Sequence, residues 1–182
     1  MELQANALGQ VVHSPYAKRG FIGIPLATLR EMTTSAVPNA AAHGGTLASN
    51  TTPIFNTVNG DTDSAQWINW AAADVDAVGF QCSLPPNLDT NDDMELHILC
   101  EMAGTTPWDS CTIASDTFFD VADTKVEDSV VCDDGTVTDR TLTIAAADIP
   151  DLAHTVSIEL TPSAHANDAL YVYALWLEFT VL

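Results

Sequence analysis

Basic residues are nearly missing from this chain: two lysines and three arginines stand against 25 acids, for a formal charge of −20. A field of that sign repels nucleic acid and anionic membrane surfaces, so neither is an expected partner. No apolar run is long enough for a membrane-spanning helix, which needs about 20 residues. The longest, ALYVYALWLEFTVL (169–182), stops at fourteen and contains Glu178. The start, MELQANALGQ, has neither a basic segment nor an apolar h-region, so the expectation is a chain made in a cytoplasm. There is no GxSxG elbow, HExxH, P-loop or dinucleotide glycine motif, which leaves no signature of an enzyme. The cysteines, Cys82, Cys100, Cys111 and Cys132, form no paired CxxC knuckles, which argues against a zinc ribbon and for reduced, structural thiols.

What is present is alternation. In MELHILCEM (94–102), Met94, Leu96, Ile98, Cys100 and Met102 point one way, while Glu95, His97, Leu99 and Glu101 point the other. That is a half-buried antiparallel strand. AVGFQCSL (77–84) repeats the pattern until Pro85-Pro86 ends it, and no helix passes through that pair. IFNTV (54–58), QWINW (66–70), SCTIAS (110–115), the segment around DSVVC (128–132), TVTDRTLTIAA (136–146) and HTVSIEL (154–160) complete a set of about eight or nine strands. AAADIPDLA (145–153) is the one place for a helical turn, and residues 33–53 read as a loop rich in small residues. The expected fold is all-β: an antiparallel two-sheet sandwich, with a jelly roll as its variant, preceded by an extended N-terminal arm.

In the terminal strand, unbroken alternation places Tyr171, Tyr173, Leu175, Leu177, Phe179 and Val181 on one side. Leu170, Val172, Ala174 and Trp176 fall on the other. A strand apolar on both faces needs cover on both. Tyr171, Tyr173, Leu175, Trp176, Leu177 and Phe179 are therefore candidates for sheet packing or for an interface between copies, with a homotrimer expected.

Charge divides the chain at residue 31: the leader carries a net +1 and residues 32–182 a net −21. The domain reading is thus an arm, 1–31, and a sandwich, 32–182. Lys18, Arg19 and Arg30 would relieve repulsion at an acidic docking surface, and Phe21, Ile22, Ile24, Leu26 and Leu29 would supply apolar burial. The competing reading makes GFIGIPLATL the first strand of the sandwich.

Candidate chemistry is sparse. DTNDDMELHILC (89–100) opens like an EF-hand loop but has Met94 where glycine is needed and Cys100 in place of the bidentate glutamate. An irregular calcium site there or in NGDTD (59–63) is the only cofactor weighed, and no metal ligands are assigned. Acid pairs such as Asp92 with Glu95, or Glu101 with Asp109, are expected by chance among so many carboxylates. Each of the five histidines stands alone in its segment, and His97 reads as a surface residue. Trp67, Trp70 and Trp108 would suit a sugar-stacking platform, although core packing is the stronger reading for Trp67 or Trp70.

Seven stretches carry a family resemblance: IPLATLREM, GGTLASNTTP, NGDTDSAQWINWAA, LPPNLDTNDDMELHI, SDTFFDVADTKVED, TIAAADIPD and SIELTPSAHANDALYVYALWLEF. In these the chain resembles small jelly-roll-like β-sandwich virion proteins of tailed bacteriophages, of the head decoration or cement type. The resemblance runs from about residue 20 to the end and brings no catalytic or ligand residues with it. It implies a structural protein on the capsid surface of a virion assembled in the host cytoplasm, partnered by itself and by the major capsid or another virion protein. The alternative is a glycan- or receptor-binding module of a tail fibre or spike, and a polysaccharide-degrading enzyme is a distant third.

Overall fold

A computed structural model describes residues 4–5, 11–12, 18–32, 54–57, 66–104, 107–120 and 125–182. The loop 33–53 and the NGDTD turn lie outside them.

Among the described residues, every regular element is a strand or a short 3₁₀ turn. In chain order these are β1 (Gln4–Ala5), β2 (Val11–Val12), β3 (Lys18–Ile24), β4 (Arg30–Glu31), β5 (Ile54–Thr57), β6 (Gln66–Trp70) and β7 (Val78–Ser83). They continue with β8 (Met94–Ala103), β9 (Cys111–Phe119), β10 (Val126–Cys132), β11 (Thr138–Ile144), β12 (Thr155–Pro162) and β13 (Ala169–Val181). β1 and β2 pair with each other. The rest form two antiparallel sheets. One runs β10-β9-β12-β7-β4; the other runs β11-β8-β13-β6-β5, with β3 also on β13. Only the β5–β6 and β9–β10 connections join neighbours in one sheet; every other step from β4 onward crosses the sandwich. That threading is jelly-roll in character.

The core lies between the sheets, where the period-two residues meet. Met94, Leu96, Ile98, Cys100 and Met102 of β8 are all at or below 1% exposure. They face Ile113 and Phe119 of β9 and Val156, Ile158 and Leu160 of β12 within one hydrophobic cluster. The four cysteines are unpaired, and burial pushes the Cys82 and Cys111 thiols up to about 11. The helical turn expected in 145–153 is a 3₁₀ turn at Ala146–Asp148.

The described part of the expected arm is sandwich. β3 pairs with β13 from Lys18↔Val181 to Ile24↔Leu175, and β4 pairs with β7. Ile24 and Leu29 are 6% and 1% exposed, and Ile22 and Leu26 pack against the same cluster. Four of the five apolar residues assigned to docking are therefore committed to the fold; Phe21 alone is exposed, at 61%. The burial that would have held residues 18–31 to a partner holds β3 and β4 to the sandwich. Pro25 ends β3 as expected, and a 3₁₀ turn at Leu26–Thr28 follows.

β13 departs from unbroken alternation. Val172 pairs with Cys100 and Ala174 with Leu99, so Tyr173 is an extra residue, a β-bulge. One inserted residue reverses the facing of everything beyond it. The core side of β13 is Leu170, Val172, Leu175, Leu177 and Phe179, each at or below 6% exposure. Tyr171, Tyr173 and Trp176 lie on the outer side, half-buried.

Candidate functional site

The outer face of the β13 sheet is built from alternate residues of five strands. β6 presents Trp67 and Asn69, β8 presents Glu95, His97, Leu99 and Glu101, and β11 presents Asp139, Thr141 and Thr143. β13 adds Tyr171, Trp176 and Glu178, while β3 adds Phe21 opposite Glu178. Strands usually put polar side chains on such a face. Here it is paved with rings.

The rings form two groups. Trp67 lies 5.7 Å from Tyr171 and 6.3 Å from Tyr173 between centroids, and the two tyrosines meet edge-on at 6.4 Å. Further along β13, the Trp176 indole stacks on the His97 imidazole at 4.7 Å and an interplanar angle of 6°. Gly23 is the cross-strand neighbour of Trp176, and no atom approaches the place its missing side chain would take, so that flank of the indole is uncovered.

Polar groups are set among the rings. The Tyr173 hydroxyl donates to Glu101 Oε1 at 2.5 Å. Burial first, and then that bond, push the phenol above its ordinary range. Among the described residues, Trp67 Nε1, Asn69 Oδ1 and His97 Nε2 of this face are buried yet make no hydrogen bond. Buried polar atoms are normally satisfied, so these three are free to bond a molecule seated on the face.

Two hollows adjoin the face. A polar one of about 290 Å³ is lined by Arg19, Asp92, Asp93, Glu95, Glu178 and Thr180. A mainly apolar one of about 420 Å³ is lined by Pro25, Leu26, Gln66, Tyr173 and Ala174, where the edge of β13 passes from β6 to β3.

The sequence-based candidates disperse. Of the three tryptophans proposed as a platform, Trp67 belongs to the face, but Trp70 is 2% exposed, with its indole N–H donated to Asp76 O. Trp108 packs against the core cluster beside Gly135. The six packing residues of β13 split, with Leu175, Leu177 and Phe179 in the core and Tyr171, Tyr173 and Trp176 on the outer face. In the loop weighed for calcium, Asp89 Oδ1 accepts from the backbone and side chain of Asn91, and Asp93 Oδ1 accepts from the Ala146 N–H. Those oxygens cap turns. Asp109 likewise accepts from the backbone of Asn167 and Asp168, while Glu101 serves Tyr173, so the imagined acid pair has other employment. Lys18 is exposed, as is Arg30, and the Arg19 guanidinium lies against Glu178 Oε1.

No family model and no curated protein matches this chain. Among solved structures, it is similar to the xylan-binding module CBM15, at 11% identity and a TM-score of 0.48, over 90% of this chain and 97% of that one. It is similar to a family 16 carbohydrate-binding module at 15% identity and 0.46, over 71% and 88%. A third is the enzymatically active domain of bacteriophage CBA120 tailspike protein 4, at 13% and 0.39, over 92% of this chain and 20% of that one. Another similar structure is a galactotriose complex of TmCBM61, at 10% identity and a TM-score of 0.40, over 87% of this chain and 86% of that one. At these scores none carries an argument about this chain.

Proposed function

We propose that the protein is a non-catalytic glycan-binding module that takes a neutral saccharide chain on the outer face of the β13 sheet. The observation that carries this is the face itself: aromatic rings interleaved with buried polar atoms that lack partners. A sugar ring offers a C–H face to stack on an indole or phenol, and hydroxyls that both donate and accept. Trp67 Nε1 would donate and Asn69 Oδ1 accept. From Tyr171 to Trp176 the strand runs roughly 15 Å, room for a short oligosaccharide. The charge of −20 disfavours anionic glycans.

Taken with the resemblance to phage virion proteins, this favours a receptor-recognising component of a tail fibre or spike over a head decoration protein. The arm that decoration relied on has lost Ile24 and Leu29 to the core. Copy number separates the two, because decoration requires hundreds of copies per particle and a fibre only a handful. A trimer remains part of the proposal, as fibre proteins need a self-association surface.

Affinity electrophoresis and calorimetry against neutral polysaccharides such as xylan, galactan and β-glucan test the reading. Trp67→Ala and Tyr171→Ala should each weaken binding by about tenfold, the equivalent of about 1.4 kcal/mol. If no neutral polysaccharide retards the protein and light scattering finds an oligomer that covers Trp67, the face is a subunit interface and the proposal fails.

A further inference from the structure

At the Trp176 end of the same face, Glu95, His97 and Glu178 converge. Their ligand atoms all lie within 4.8 Å of one another. The cross-strand register makes the cluster: Glu95 pairs with Glu178, and His97 with Trp176.

His97 is oriented on two sides. Asp139 Oδ2 lies 2.9 Å from Nδ1, and the stacked Trp176 ring fixes the plane. A carboxylate only accepts, so Nδ1 donates its proton to Asp139, and the other ring nitrogen, Nε2, is the one that faces the two glutamates. Nε2 is buried and makes no hydrogen bond. It is 3.5 Å from Glu178 Oε2 and 3.7 Å from Glu95 Oε2. With Nε2 offered as a ligand, three lone-pair atoms face one another, an arrangement that a cation between them would stabilise. These gaps are long for hydrogen bonds. Donor atoms bound tetrahedrally at about 2.0–2.2 Å lie about 3.3–3.6 Å apart, so the Glu178 gap matches two ligands of one ion and the Glu95 gap is about 0.1 Å longer.

The geometry points to a zinc-class divalent cation held by Glu95, His97 and Glu178, with Asp139 as the positioning residue. One imidazole nitrogen and two carboxylate oxygens suit zinc among the available metals. Calcium wants six to eight oxygens, which this set does not supply. The carboxylate hydrogen-bonded to the far ring nitrogen is the usual support for a metal-binding histidine. Arg19 occupies Oε1 of Glu178 and leaves Oε2 for the ion. Glu95 and Glu178 also line the polar hollow with Asp92 and Asp93, so the fourth coordination position opens onto it.

The site adjoins the glycan face at Trp176, but Trp67 and Tyr171 ligate nothing here and the metal is titrated with no saccharide present, so either reading can fail without the other. The test is calorimetric titration of the chelator-treated full chain with zinc chloride, alongside thermal melts. One saturable equivalent per chain and a zinc-dependent rise in Tm are expected. His97→Ala should abolish that uptake, Asp139→Asn should weaken it roughly 10–100-fold, and His154→Ala, at an exposed histidine, should leave it unchanged. Glu95→Gln, at a more exposed ligand, reports on the site if His97→Ala proves unstable. Absence of saturable uptake overturns the proposal. So does equal uptake by the His97 and Glu95 variants, or calcium bound in preference to zinc.

Discussion

Exchanging Leu170 and Leu177 for alanine, one at a time, tests the bulge at Tyr173 directly. Both side chains are 0% exposed and point between the sheets. Unbroken alternation along β13 would put them on opposite faces, and only one face is core. Leu→Ala at a closed site costs about 2–5 kcal/mol, through lost transfer energy and the cavity left behind. Against a total stability of about 5–15 kcal/mol, that is a large fraction. In a domain of this size each kcal/mol lowers Tm by about 2–4 °C, so each variant should melt roughly 5–20 °C lower. Urea unfolding followed by far-UV circular dichroism measures the cost, and an unchanged slope shows that the two-state comparison holds. Tyr171→Ala, at a half-buried ring between core residues Leu170 and Val172, should cost clearly less. If Leu170→Ala falls within about 0.5 kcal/mol of the parent, as surface changes do, while Tyr171→Ala matches Leu177→Ala, the facing is reversed and the proposed binding face is wrong.

Acid should destabilise the protein through two turn carboxylates. Backbone N–H groups of Asn167 and Asp168 hold Asp109 below its ordinary range, and those of His154 and Thr155 do the same for Asp120. With folded values depressed, their stabilisation is complete above the unfolded value near 3.8 and is lost as pH falls through the lower folded values. Asp120→Asn keeps a residue that tolerates the positive φ of 49° there. Its Tm should lie below the parent's at neutral pH and converge with it by about pH 2–3; parallel curves throughout would refute the assignment. Separately, a Cβ at Gly135 would stand 2.2 Å from the Trp108 ring. Gly135→Ala should cost about 1–3 kcal/mol by overpacking, visible as a lowered Tm and an altered near-UV spectrum, and an unchanged Tm would show that the indole moves freely.

Much of the sandwich was legible because burial on one face writes itself into the sequence at period two. β8 reads directly from Met94 to Met102, β6 matches QWINW, and β7 stops before Pro85-Pro86 as proline chemistry requires. β9 was harder. It runs to Phe119, but Ser115 and Thr117 occupy core positions at 3% and 1% exposure, so the apolar pattern fades after Ile113. The candidate site was hidden for a different reason. A bulge has no composition of its own, and without it Tyr171 and Tyr173 line up with Leu175 and Leu177 as packing residues. The cation cluster joins residues more than 80 positions apart through the register of β8 on β13, which alternation within either strand does not reveal. Charge alone points to a docking leader, whereas Ile22 and Ile24 alternate as a strand does, and burial decides for the strand.

The central position of β13 has a consequence for how the chain assembles during synthesis. It lies between β8 on one edge and β6 and β3 on the other, and it leaves the ribosome after all of them. Until it arrives, β8, β6 and β3 have no shared neighbour, and their apolar faces and unpaired edges stand open to other chains. β3 must wait longest, since its partners at 175–181 follow it by about 150 residues. Closing so long a loop makes folding slow and late. A nascent chain halted before residue 169 would therefore hold every other strand of the fold and still lack the one that joins them into a sheet.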